Sequence, residues 1–449
     1  MFGAPNFLVP IVMWGWFPVV LYLFSIYPAQ RAVIVSFITA WLFLPGAVFN
    51  LPGLPDYTKM SATGYSILLA TLIFDSSHFI KFKFSWLDIP ILMWCVSPFI
   101  SSVMNGLGPY DGFSSSLDQS VTWALPYFLG RLYLGNLAGM RQLAIAVFIG
   151  GVIYAPLCIF EARMYRNLHA MVYGFQDYST SFLISLRYGG YRPAVFMPSG
   201  LMLGVWMMLA SLMAIVLWRT KLVKRMWNMP MGLLTGFVVF TFIIVKATGA
   251  YILLALALVC LYMAKWFRTS ILMWIIAALL TAYMYMGVVG TFPGPQIVAY
   301  MSQVFSPDRV QSVEFRFQNE ELLGARARQQ ILFGWGGFGR NRIFNEYGED
   351  ISVTDSLWII VFGINGAFGL VSIFSAFLLP PLAFCIRYPA KLWWHPAVTP
   401  AAALAVGVVM YTFDCVLNAM TNPVFMLACG GIAGLASKPV PKEIKRWDG

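Results

Sequence analysis

Residues 315–370 read FRFQNEELLGARARQQILFGWGGFGRNRIFNEYGEDISVTDSLWIIVFGINGAFGL. Up to Asp355 the stretch is polar, with Arg316, Arg326, Arg328, Arg340 and Arg342 beside Glu320 and Glu321. From Ser356 it becomes an apolar run that outlasts the roughly 20 residues a helix needs to cross hydrocarbon. That join sets the reading of the whole chain: a lipid-like sequence interrupted by one long polar connection. Hydrophobic residues make up 60% of the 449 positions and charged residues 10%, the composition of polytopic membrane proteins and not of soluble domains.

Outward from this join, about thirteen segments reach the length and apolarity of a membrane helix: 7–27, 31–49, 61–80, 88–105, 119–137, 140–160, 194–218, 229–247, 249–266, 270–290, 356–382, 396–419 and 421–437. Trp and Tyr mark many of their ends, as an interfacial belt requires. The first residues lack the basic start and small-residue cleavage site of a secretory signal, so 7–27 is expected to stay as a helix. The expected fold is all-α: a single membrane domain over 1–449 with about 12–13 transmembrane helices and a large structured outer loop.

Lys and Arg beside helix ends stay in the cytoplasm. With the tail KPVPKEIKR inside, the inner connections collect Arg31, Lys81, Lys83, Arg141, Arg219, Lys221, Lys224, Arg225, Lys265, Arg268, Arg387 and Lys391. The N-terminus is then periplasmic, the C-terminus cytoplasmic, and the connections 50–60, 106–118, 161–193 and 291–355 lie on the outer face. The net charge of +11 is thereby a topology signal, which excludes a nucleic-acid partner and leaves membrane lipids as one. Loop 161–193 carries Arg163, Arg166, Arg187 and Arg192, with Pro193 suited to the first turn of the next helix. Loop 291–355 is expected to hold an amphipathic helix over about 314–332, then the turn Gly334-Trp335-Gly336-Gly337-Phe338-Gly339.

Glu161, Arg192, Lys246, Asp355 and Asp414 fall at the outer ends of spans, where charges are costly unless they face a wet cavity or the bundle interior. Arginine stays charged and grips phosphate oxygens through paired hydrogen bonds, which makes Arg192, Arg326 and Arg328, with Lys246 in support, candidates for a diphosphate. The same arginines equally suit lipid headgroups or pairing with Glu320 and Glu321; Glu321 and Arg328 share a helix face. Asp355 reads as a general base or as a helix N-cap, Thr354 serving equally. Asp414 reads as a buried, hydrogen-bonded residue or a site residue, His169 as interfacial, and Arg163 and Arg316 as further site positions. The glycine turn has neither a preceding strand nor a following Lys-Ser/Thr, so it is no phosphate-binding fingerprint; its glycines suit a tight loop on the membrane mouth. Six scattered cysteines and three histidines form no metal or disulfide pattern, and HExxH and Ser-His-Asp sets are absent, so neither a metal nor a cofactor is expected.

Over roughly 185–370, and in helix number, the chain resembles the bacterial O-antigen ligases and O-antigen or exopolysaccharide repeat-unit polymerases. The resemblance rests on the arginine-bearing outer loop with its Gly-x-Gly turn, on the pair Gly366 and Gly369 in the following helix, and on RPAVFMPSG from Arg192. The Arg-x10-Gly spacing described for the polymerases fits Arg163 to Gly174, Arg326 to Gly337 and Arg328 to Gly339. Where the ligases carry His-Asn this chain has Asp355-Ser356, a departure that favours polymerase over ligase. The resemblance implies a metal-independent, inverting transfer from an undecaprenyl-diphosphate-linked oligosaccharide on the periplasmic face of the inner membrane. It further implies a chain-length regulator and a flippase as partner proteins. A flippase for the same lipid-linked sugar is the competing expectation from another class; it would tend to place its charges near the bilayer midplane and to show two related halves.

Overall fold

A computed structural model describes residues 3–51, 56–80, 82–176, 186–187, 189–303 and 307–445, with the side chains of 187, 307–309, 312 and 445 set aside. Lys81, Arg446, residues 177–185 of the first outer loop and the Arg187 side chain lie outside the described residues.

The chain is all-α. In order, the helices are α1 Leu8–Ile26, α2 Ala29–Phe43, α3 Lys59–Phe74, α4 Ile89–Met104, α5 Pro109–Gln119, α6 Leu125–Tyr133, α7 Leu137–Met164, α8 Leu168–Tyr173 and α9 Gly200–Arg219. There follow α10 Met231–Ile244, α11 Thr248–Trp266, α12 Ile271–Val289, α13 Gly294–Met301, α14 Pro307–Ala327, α15 Leu357–Arg387, α16 Thr399–Leu417 and α17 Pro423–Ala436. Among the described residues, sheet is confined to two-residue hairpin strands at 186–191 and 225–230. Among the described residues eight helices are long and apolar enough to cross a membrane, and α2, α3, α10 and α17 are shorter apolar helices.

Each apolar segment overlaps a helix, with several differences: the segment expected at 61–80 stops at Phe74, where Asp75 takes the C-cap, and others are displaced as follows. The segment expected at 119–137 is the second half of a longer helix: α5 runs through a wide π-helical turn at Ser120–Ala124 into α6. That turn directly precedes Pro126, whose missing N–H interrupts a regular ladder. The segment expected from 194 begins at Gly200, because Val195 is left-handed (φ 58°) and Ser199 caps the helix through the Met202 N–H. Pro193 therefore lies before that helix and not in its first turn. The amphipathic helix starts earlier than expected, at Pro307, and ends in a 3₁₀ turn at Arg328–Gln330.

The core centres on α9 and α16, each with 89% of its most apolar window buried, against 28% in α1 and α12. Lipid is as apolar as leucine, so burial here is won by close approach of small residues and not by amphipathic faces. α16 opens TPAAALAVG, and a Cβ on Gly204 of α9 would run into the Ala247 methyl. α6 and α17 approach most closely: a Cβ on Gly430 would strike the Tyr127 carbonyl, and one on Gly130 the Leu427 carbonyl.

Side-chain contacts sort the connections into two groups. At one end Asn6 donates to the Val172 carbonyl, Asn105 to that of Gly334, and Ser199 reaches Met420. At the other, Gln30 donates to the Tyr133 carbonyl, Lys438 to that of Gly135 and Arg387 to that of Lys438. This second, basic end also holds a buried bidentate pair, Arg131 Nε to Asp88 Oδ1 at 2.7 Å and NH2 to Oδ2 at 2.9 Å, with Tyr127 donating to the same carboxylate. The N-terminal segment joins the first group through Asn6, and the C-terminal tail joins the second through Lys438.

Candidate functional site

The arginine-bearing end is built on a broken helix. At Gly366 the backbone of α15 turns to φ 66°, ψ −167°, a region open essentially to glycine alone. The break frees carbonyls on one side and N–H groups on the other, and backbone groups that lack water must find partners inside the protein. Segment 331–336 supplies them. Trp335 and Gly336 donate to the Gly363 and Ile364 carbonyls at 2.9 and 3.0 Å, while Ala367 and Phe368 donate to the Ile331 and Leu332 carbonyls at 2.8 and 3.1 Å. Ser101 adds a hydroxyl to the Ile364 carbonyl at 2.7 Å, and Asn105 bonds the Gly334 carbonyl at 2.8 Å. Gly334 is left-handed and abuts Ile364 and Gly366 so closely that a Cβ would overlap their backbone. The glycine turn is thus the partner strand of a discontinuous helix.

Two cavities flank the first segment of α15. The larger, about 670 Å³, lies between α12, α13 and α14; it is mostly apolar, with Phe292, Phe317, Leu322 and Trp358 in its walls, and Glu320 is its most embedded carboxylate. Glu320 accepts from Tyr283, from Ser356 at 2.8 Å and from Trp358 at 3.1 Å, so one carboxylate ties α12, α14 and the start of α15 together. Burial raises its pKa above the ordinary carboxyl range against the opposing pull of these hydrogen bonds and of the Arg316 charge. The smaller cavity, about 450 Å³, lies between α4, α5 and the glycine turn, and is the more polar of the two, with Asp56, Asp118, Gln119 and Asn365 set among apolar walls.

The expected site residues separate into groups. Glu161, fully buried at the end of α7, accepts the N–H groups of Leu168, Ala194 and Val195 at 3.0 to 3.3 Å; it shapes the turn that follows Arg192. The Arg192 side chain lies across Gly200 at the start of α9, and the Lys246 ammonium lies against Gly190, so these two cations share one hairpin. Lys246 is left-handed, which marks the tight reversal between α10 and α11. Ser199 and Met420 connect this corner to the end of α16, where Arg316 donates to the Leu417 carbonyl at 3.5 Å. Arg316 also acts electrostatically on Asp414, a buried residue with one oxygen accepting from Asn418 and the other without a partner.

Arg326 stacks on Trp335, its guanidinium 3.5 Å from the ring centroid, and Arg328 bridges Glu321 and the Gly287 carbonyl at the edge of the apolar cavity. Arg163 is exposed in the last turn of α7. Asp355 is exposed, lines neither cavity and does not cap α15: the N-cap position is Ser356, whose hydroxyl goes to Glu320.

Sequence reasoning passed over Asp56 and Asp118, which line the smaller cavity from two separate connections, and Asn365, which lines it from the break in α15. A signal was there for one of them: Asp118 stands one residue before a predicted span, the position that singled out the other charges. The chain matches no known family model, and no curated protein is significantly similar to it, so the family resemblance rests on the loop motifs themselves.

Proposed function

We propose that the protein is a membrane glycosyltransferase that joins oligosaccharide repeat units carried on undecaprenyl diphosphate, a surface-polysaccharide polymerase working on the periplasmic face of the bacterial inner membrane. The observation that carries this reading is a 670 Å³ apolar cavity with Arg328 at its edge; Arg326, two residues earlier, and the separate corner of Arg192 and Lys246 supply further cations. A ligand matched to that surface has a long apolar tail and an anionic head. In the transfer an acceptor hydroxyl attacks the anomeric carbon, the carbon–oxygen bond to the diphosphate breaks with inversion, and the hydroxyl proton leaves to a base. Arg192, Arg326 and Arg328, with Lys246, would stabilise the departing diphosphate. The exposed carboxylate of Asp355 would take the proton.

The test is purified protein with an undecaprenyl-diphosphate oligosaccharide from the producing cell and no other acceptor. A ladder of repeats is expected, with a strong loss in Arg192→Ala and Arg326→Ala at equal protein level; unchanged product from both variants sinks the assignment. A flippase is the second reading, favoured by the break in α15, since discontinuous helices are common around transporter sites. It predicts substrate crossing sealed vesicles without any change in product length.

A further inference from the structure

We propose that the smaller, 450 Å³ cavity between α4, α5 and the glycine turn is a binding site for an uncharged sugar, the hydroxyl-bearing end of a glycan. The inference rests on the transferase reading only for which glycan enters; the chemistry of the walls stands by itself.

The walls offer hydrogen bonds of every kind a polyol uses. Asp56 and Asp118 supply carboxylate acceptors, which pair with neighbouring hydroxyls. Ser102, Ser114 and Ser115 supply hydroxyls that both donate and accept, the Thr58 hydroxyl being engaged as the cap of α3. Asn365 is 3% exposed and its Nδ2 has no partner, and the Oε1 of Gln119 likewise has none. A buried amide donor and a buried amide acceptor left unmade beside a cavity are costly unless a ligand or water completes them. Among the described residues no Lys or Arg lines this space, Arg340 and Arg342 lying behind Gly337 and Phe338. With two carboxylates and no cation in its wall it disfavours a phosphate, so the diphosphate belongs elsewhere at this end of the bundle. Phe338 stands at the rim with 91% of its surface exposed; the Arg342 guanidinium lies 5.6 Å from its ring centroid on one face, and the opposite face is the one offered to the apolar side of a sugar ring.

Position adds to composition. Asn365 immediately precedes the break at Gly366, and Gly336 and Gly337 bring bare backbone to the wall, so the insertion of the turn into α15 is what shapes the cavity. Asp118 opens to solvent through the mouth, yet burial among the walls, and then the charge of Asp56, raises its pKa above the ordinary carboxylate range. Two carboxylates lining one cavity are offset by hydroxyl donors as a sugar supplies them.

The experiment uses the full-length protein in nanodiscs and, as probe, free neutral oligosaccharides released by mild acid from the surface polysaccharide of the producing cell. Saturation-transfer NMR reads binding. Wild type is expected to bind, Asp118→Asn and Phe338→Ala each to weaken binding about ten-fold or more, and Arg192→Ala to leave it intact. Phe338→Ala changes an exposed side chain, so it tests the site even if Asp118→Asn fails to fold. No binding by wild type overturns the proposal, as does binding unchanged in a folded Asp118→Asn and Phe338→Ala. A wild type that binds sodium or calcium but no sugar overturns it too. Sugar binding without a repeat ladder would refute the polymerase reading and leave this one standing; a ladder with unaltered binding in both variants would do the reverse.

Discussion

Gly366→Ala tests whether the break in α15 is held by the glycine turn. The wild-type backbone at this position, φ 66° and ψ −167°, costs a residue with a Cβ about 1–3 kcal/mol. The new methyl also points into the Leu332 carbonyl, so segment 331–336 must withdraw. Withdrawal threatens the bonds from Ala367 to Ile331 and from Phe368 to Leu332, worth on the order of 1 kcal/mol each when replaced by water and more when the groups stay dry. The sum is roughly 3–5 kcal/mol. Gly249→Ala is the control: it lies in α11, a Cβ there meets nothing within 4 Å, and alanine is the better helix former. Thermal unfolding in detergent, followed by tryptophan fluorescence, should show Gly366→Ala melting several degrees below wild type and Gly249→Ala at or slightly above it. A Gly366→Ala protein melting within about one degree of wild type would refute the account, because in a chain of 449 residues a shift that small corresponds to about 1 kcal/mol or less, below the expected loss.

Other expectations follow from contacts elsewhere. Asp88→Ala leaves the Arg131 guanidinium buried and unpaired, and should cost about 3–5 kcal/mol, with Asp88→Ala/Arg131→Met recovering part of the loss in the same melting assay. Gly430→Val should separate α6 from α17 and lower both expression and melting temperature, whereas Gly236→Val, where a Cβ meets nothing within 4 Å, should cost little. His169 accepts the Gly46 N–H at Nε2 and therefore donates from Nδ1 to the Phe175 carbonyl, a neutral ring. Burial first, and then the Lys59 charge, lower its pKa from the ordinary 6.5. The unfolded chain gains this proton before the folded one does, so stability is full above about 6.5 and falls as pH drops toward the lowered folded value. His169→Gln, which keeps a donor and an acceptor without titrating, should lose less melting temperature between neutral and mildly acidic pH; equal losses would dismiss the histidine as the cause.

The apolar helices were legible because a membrane helix needs only length and apolarity, and eight of the described helices meet both. The break in α15 was not. Residues on both sides of Gly366 are apolar, so the run reads as continuous, and the groups that complete the broken ladder lie about thirty residues earlier, in the turn. Glu161 was legible as a charge at a span end but not as the acceptor for three N–H groups, since Ala194 and Val195 reach it only through the fold. Asp355 shows the opposite error: an aspartate before an apolar run suggests a cap, yet the cap position falls to Ser356, and Ser356 gives its hydroxyl to Glu320 instead. Asp56 and Asp118 come from different connections, and no spacing in the chain announces that they share a wall.

The first segment of α15 links stability to the proposed chemistry. Trp358 on that segment is a wall of the apolar cavity, and Ile364 and Asn365, two turns on, are walls of the more polar one. Its start is anchored through Ser356 and Trp358 to Glu320, and its end by the turn at Trp335 and Gly336. A rigid rod pinned at both ends keeps the two cavities at a constant separation, which a transfer between a lipid-borne donor and a sugar acceptor requires. Glu320→Gln retains an acceptor for Ser356 or Tyr283 but weakens charge-assisted bonds, and should loosen the start of the rod while sparing its end. Hydrogen exchange should then rise at 356–360 and not at 364–368. Uniform loosening of both stretches would mean that the segment moves as one piece with the turn, and that the separation of the cavities is set elsewhere.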